Sequence, residues 1–277
     1  MPPPAVTTSE VPITNVDHRH LPCSESDKPN FTIAILDHRH LPDTDGSVQH
    51  FHQQPQNDLL TGSLMPRLRQ LYPDGQFAIG QDTGIYWRQT DPPLNGCKAP
   101  DWFFVPGVPP MLDGLSRRSY VLWKEAVRPL IVMEFVSGDG SEERDRTPYK
   151  GKFWVYEQAI AAPYYAIFDF ERASLELFRA ERGKYLPVVA NAAGRYPVEP
   201  WGVELGIWKG EYRNQDMAWL RFWDSPTGEM LLYPEERAES ERKRADEAIR
   251  QRDEAAKRAA LLAARLRAMG IDPDAAV

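Results

Sequence analysis

Between Gln76 and Phe170 the sequence changes its period twice, and this restricts the fold more than any other feature of the chain. Short runs rich in aromatic and β-branched residues come first. Gln76–Gly80, Gly84–Arg88, Trp102–Pro106, Tyr120–Lys124 and Leu130–Val136 read as strands separated by Gly and Pro turns. A helical segment follows, with Thr147 as its cap, Pro148 in its first position and an end near Ala161. Strands resume with Tyr164–Phe170, Leu175–Arg179 and Lys184–Val189, and Val203–Trp208 and Trp219–Trp223 extend the series. Upstream, Leu59, Leu60, Leu64, Leu68 and Leu71 recur at helical spacing, in a helix from about Asp58 that Pro73-Asp74-Gly75 stops. Helix, sheet, crossover helix and more sheet is the order of an α/β or α+β domain.

The flanks read differently. Of the 25 prolines, 16 fall in residues 1–110, and the first residues mix Pro, Ser, Asp, Asn and Gln with few apolar runs, so 1–57 is expected to be irregular. It holds a short internal repeat, Val16-Asp17-His18-Arg19-His20-Leu21-Pro22 echoed by Leu36-Asp37-His38-Arg39-His40-Leu41-Pro42. All 6 histidines stand in three His-x-His pairs, 18/20, 38/40 and 50/52, in a context without clustered thiolates or carboxylates, which favours a duplicated surface segment over a metal site. The body is expected over 58–234. Residues 235–269 turn to Glu, Arg, Lys and Ala and read as one long charged helix. A heptad register places Ala238, Ala245, Arg252, Ala259 and Leu266 at one seam position and Glu241, Ala248, Ala255, Leu262 and Met269 at the other. Glu241 and Arg252 interrupt that seam. Two readings stay open, a coiled coil that makes a homodimer and a solvated helix that associates only near Leu262, Leu266 and Met269.

Charge and length bound the function. No apolar run, Pro129 to Met133 included, approaches the roughly 20 residues of a membrane span, and the Met-Pro-Pro-Pro start is no secretory signal, so the expected compartment is the cytoplasm. Cys23 and Cys97 are too few for a thiolate zinc site or a disulfide framework. The net charge of -7 lies wholly in residues 1–234, because the segment from Glu235 onward is balanced. Contact with nucleic acid would require a local basic patch.

Two carboxylates stand where a purely structural sheet would not place them. Asp101 heads the run Trp102-Phe103-Phe104-Val105, and Glu134 interrupts Leu130-Ile131-Val132-Met133 before Phe135-Val136, on the side of Val132 and Val136. A carboxylate in so apolar a strand is costly unless it is paired or binds a cation. In the following helix Tyr149, Lys152, Phe153, Tyr156 and Ile160 follow one face, whereas Lys150 projects about 100° or more away, so Lys152 is the lysine directed at the sheet. Two carboxylates and one lysine can hold Mg²⁺ and stabilise hydroxide attack on a phosphodiester. They can equally form a buried ion pair. Asp82 reads either as a turn residue or as a further carboxylate of the cluster, and Ser137-Gly138-Asp139-Gly140 reads first as a Gly-rich turn.

A resemblance adds to these readings. The run Ala99-Pro100-Asp101-Trp102-Phe103-Phe104-Val105, then Pro129 to Ser137 with Glu134 inside it, then Arg144-Asp145, Lys152, Tyr156 and Tyr164-Tyr165-Ala166-Ile167-Phe168-Asp169 resembles the bacterial Uma2 family of the PD-(D/E)xK nuclease superfamily, over roughly Leu59 to Trp223. The resemblance implies a restriction-endonuclease-like mixed sheet flanked by helices. It also implies that Asp101 and Glu134 are ligands of Mg²⁺ or Mn²⁺, that Lys152 is the third catalytic residue, and that the substrate is DNA. The chain departs from the superfamily at Val136, where the standard motif carries lysine. It departs from the family in the seven-residue step from Asp145 to Lys152, which an insertion around Arg146-Thr147-Pro148 explains. The competing reading is a catalytically inactive nuclease fold that binds or scaffolds through its C-terminal helix.

Overall fold

A computed structural model describes residues 51–270. The N-terminal repeat, Cys23, the His pairs at 18/20 and 38/40, and His50 lie outside the described residues.

A first helix, α1 (Gln53–Leu71), precedes β1 (Phe77–Gln81), β2 (Ile85–Tyr86), β3 (Cys97–Lys98) and β4 (Trp102–Pro106). A short hairpin of β5 (Met111–Leu112) and β6 (Leu115–Ser116) leads to β7 (Tyr120–Val121), one helical turn α2 (Leu122–Glu125) and β8 (Ile131–Phe135). Next come α3 (Lys152–Trp154), a π-helical segment over Val155–Ile160, and β9 (Tyr164–Asp169), β10 (Ser174–Glu181) and β11 (Lys184–Pro187). The chain closes with β12 (Tyr196–Val198), β13 (Val203–Tyr212), β14 (Gln215–Asp224) and α4 (Pro234–Ala268).

The central sheet has six strands in the order β1-β4-β8-β9-β10-β11 and is mixed, since β8 and β9 run parallel while the other pairs are antiparallel. Parallel neighbours need a crossover, and the segment that supplies it carries Lys152. Strand alternation divides the core. Trp102, Phe104, Ile131 and Met133 pack with Leu59, Leu60, Leu64 and Leu68 of α1 and with the antiparallel β12-β13-β14 sheet. Phe103, Val105 and Val132 pack on the opposite face with Phe153, Val155, Tyr156 and Ile160. Among the described residues no helix is long and apolar enough to cross a membrane.

Two expected elements are corrected. Tyr120–Lys124 is a strand only to Val121, after which α2 turns and ends at Ala126 in the left-handed region. The crossover helix starts at Lys152 and not at Pro148, because Asp145 captures both the Thr147 amide (2.8 Å) and its hydroxyl (2.6 Å) in a turn of its own. Tyr149, at φ 65, then breaks helical continuity, and Gly151 becomes the N-cap. Gly151 is required there, since a Cβ would meet the Asp145 carbonyl oxygen at 2.2 Å.

The charged helix α4 runs 35 residues and buries none of them. Only its root docks. Arg221 on β14, fully buried, donates to Glu236 Oε2 at 2.6 Å and to the Leu231 carbonyl at 2.9 Å, and Arg237 donates to the carbonyl oxygens of Leu232 and Gly62.

Candidate active site

Register brings the two acids together. Trp102 pairs with Met133 and Phe103 with Val132, so the next step outward sets Asp101 beside Glu134. Alternation turns both toward the face covered by α3 and the π-helical segment. Glu134 is 1% exposed and Asp101 8%.

Each carboxylate is held from two sides. Tyr156 donates its hydroxyl to Glu134 Oε1 at 2.5 Å, and Lys152 Nζ donates to Glu134 Oε2 at 3.2 Å. The Phe135 amide and the Gln53 side chain donate to the two oxygens of Asp101. Gln53 reaches Asp82 as well, at 2.8 Å, and Asp82 lies within hydrogen-bonding reach of Asp101. Asp82 is thus both a left-handed turn residue, at φ 45, and a neighbour of the acid pair. The facial assignment for Lys152 holds, while Tyr149, expected on the same face, is 57% exposed.

Sequence reasoning passed over three contributors. Glu143 is fully buried, with Oε1 3.5 Å from Lys152 Nζ and Oε2 without a hydrogen-bond partner, and Glu142 Oε1 stands 3.4 Å from the same ammonium. Both lie in a loop, where periodicity carries no information about burial. Gln53 was hidden because α1 begins a turn before its first periodic leucine.

Asp145 and Asp139 do other work. The Asp145 carboxylate serves Thr147, and its carbonyl accepts the amides of Phe153 and Trp154, so it builds the start of α3 rather than joining the acids. Asp139 accepts the Ser141 amide at 2.9 Å between Gly138 and Gly140, both at positive φ, in a plain turn.

The electrostatics are lopsided. Burial, reinforced by the charges of Glu134 and Asp82, pushes the Asp101 carboxyl well above its usual range. Burial also raises Glu143, against the opposing pull of Lys152. Burial draws the Lys152 ammonium down, yet Glu134, Glu143, Glu142 and Asp101 together hold it above its ordinary value. Tyr156 is raised by burial and by Glu134, so it remains a donor.

A divalent cation fits this donor set in one particular way. The described residues contain no group of three or more His, Cys, Asp or Glu arranged to hold a metal. Asp101 and Glu134 nevertheless offer hard oxygen donors, and each oxygen, having accepted one hydrogen bond, keeps a further lone pair. Mg²⁺ is commonly bound through one or two carboxylates while it retains several waters.

A family model described as "Uma2: Putative restriction endonuclease" matches residues 45–212, which include Asp101, Glu134, Lys152 and Tyr156 and stop short of α4. No curated protein matches the chain.

Proposed function

The chain belongs to the Uma2 family, and from that premise we propose that it is a nuclease that hydrolyses DNA phosphodiester bonds with Mg²⁺ or Mn²⁺. The observation that carries the reading is the surplus of buried carboxyl groups. The buried Glu134 and Glu143 share one ammonium with the exposed Glu142, and the buried Asp101 with the half-buried Asp82 adjoins them, an arrangement that an external cation would relieve. Asp101 and Glu134 would hold that cation, which when bound lowers the pKa of its water and offsets charge on the phosphodiester.

The other tasks fall to side chains. Lys152, kept charged by its carboxylate neighbours, orients the attacking water and donates to an oxygen on which charge develops. Tyr156 fixes the rotation of the Glu134 carboxylate from one side while Lys152 fixes it from the other. Gln53 does the same for Asp101. Because the protein carries -7, binding draws on local cations and weakens steeply with salt.

Plasmid relaxation at low ionic strength tests the proposal. Cleavage is expected with Mg²⁺ or Mn²⁺, none in EDTA, and none from Asp101→Asn or Glu134→Ala. Cleavage in EDTA, or cleavage that survives both substitutions, would put the chemistry elsewhere. Absence of both metal binding by calorimetry and cleavage of duplex or single-stranded DNA would favour a nuclease fold used as a binding module.

A further inference from the structure

Beside the acids lies a pocket of opposite character. Its volume is about 480 Å³, and Trp87, Arg88, Lys98, Tyr149 and Lys150 line it. That size falls in the roughly 300–1,000 Å³ range of small-ligand sites and exceeds the needs of one phosphate. Arg88, Lys98 and Lys150 form no ion pair with any described carboxylate. The nearby Asp145, whose carboxylate feels the charge of Lys98, is already engaged by Thr147. Arg88 Nε and Trp87 Nε1 are buried donors without acceptors.

Of the aromatic walls, Tyr149 is exposed and Trp87 half-buried, and both are held in place. The Arg88 guanidinium sits 4.4 Å from the Trp87 ring centroid and 5.4 Å from that of Tyr149. The Tyr149 ring leans on Trp154 at 4.5 Å. At φ 65, Tyr149 occupies a backbone region that bulky residues rarely adopt, and such strain concentrates at working sites. A second pocket of about 580 Å³, lined by Trp123 and Lys124, shares Arg88 with the first, so the track is longer than a single nucleotide needs.

The chain ties this track to the acids. Lys98 precedes Asp101 by three residues and Lys150 precedes Lys152 by two, which limits the Cα separations to about 11 Å and about 7 Å. We propose that the pocket binds an unpaired DNA strand next to the scissile phosphate, with a base on the Trp87 and Tyr149 rings and flanking phosphates on Arg88, Lys98 and Lys150. Sequence-tolerant binding of single strands is built from such parts, cations along the backbone and aromatic faces under the bases. The inference rests on the nuclease reading for its scissile phosphate, but the binding itself is separately measurable.

The test is fluorescence anisotropy of a short labelled oligodeoxynucleotide, single-stranded or annealed to its complement, with the full chain in EDTA. The single strand should bind at least about 5-fold tighter than the duplex. Tyr149→Asn, which tolerates the left-handed backbone, should weaken single-strand binding by about 5-fold or more, and Tyr149→Phe should retain it. Lys98→Ala and Lys150→Ala should each lower the salt slope by about 0.7. Duplex bound as tightly as single strand, or pocket variants with unchanged affinity and salt slope, would overturn the proposal. The two readings separate cleanly. This binding pattern without cleavage in Mg²⁺ leaves the pocket standing and sinks the nuclease. Cleavage with unchanged KM in the pocket variants does the reverse.

Discussion

Two regions bury charge, and they do so in opposite ways. At the root of α4 the fully buried Arg221 meets one carboxylate, Glu236, through both of its terminal nitrogens, and it lies against Trp208 and Tyr233 at 5.1 and 5.5 Å. Charges there cancel within one contact. At the acid cluster, Lys152 is outnumbered by Glu134, Glu142 and Glu143 before Asp101 and Asp82 are considered. A matched buried pair is architecture, because removing either partner strands the other. An unmatched cluster is destabilising by itself, which is how a site built for an external charge differs from one built for the fold.

The largest effect that sharpens this contrast is on catalysis. Lys152→Ala should lower kcat by about 100-fold or more, while Lys150→Ala should raise KM and leave kcat near its original value. Equal losses of kcat in both would erase the distinction between the two lysines. Next comes Glu236→Ala, which leaves Arg221 buried without its carboxylate and should cost about 3 kcal/mol in urea unfolding, with no comparable loss of cleavage. Asp101→Asn should change stability in the opposite direction, raising it by about 1 kcal/mol in EDTA, since it removes a charge that burial and Glu134 oppose. Mg²⁺ should raise the melting temperature of the unmodified protein and leave that of the same variant unchanged. If Asp101→Asn melted lower in EDTA, the acid pair would be as structural as the pair at Arg221. The smallest effect is expected from ending the chain after Arg244, which keeps Glu236 and Arg237 and should alter stability by less than about 0.5 kcal/mol.

Much of this was legible in the chain. Trp102–Pro106 matches β4 at both ends, because Pro100 and Gly107 punctuate it and all five of its residues are apolar. Glu134 announced itself by interrupting an apolar strand. Arg221, inside Trp219-Leu220-Arg221-Phe222-Trp223, sends the same signal, and its partner stands 15 residues later at the helix start, outside any strand pattern. The start of α3 was misplaced because Thr147-Pro148 has the composition of a cap, while the competing hydrogen bonds of Asp145 cannot be weighed without geometry. Glu143 gave no sign, since a glutamate in a polar loop looks solvated until the loop folds under a lysine nine residues ahead.

The grip on Glu134 has a consequence for timing. A free glutamate samples several rotamers, and confining one costs on the order of 1–2 kcal/mol of entropy. Here Lys152 and Tyr156, one helical turn apart on the same crossover, take one oxygen each, so that loss is incurred as the chain folds and not again when substrate arrives. Since both restraints come from a single segment, any shift of that segment moves lysine, tyrosine and carboxylate together.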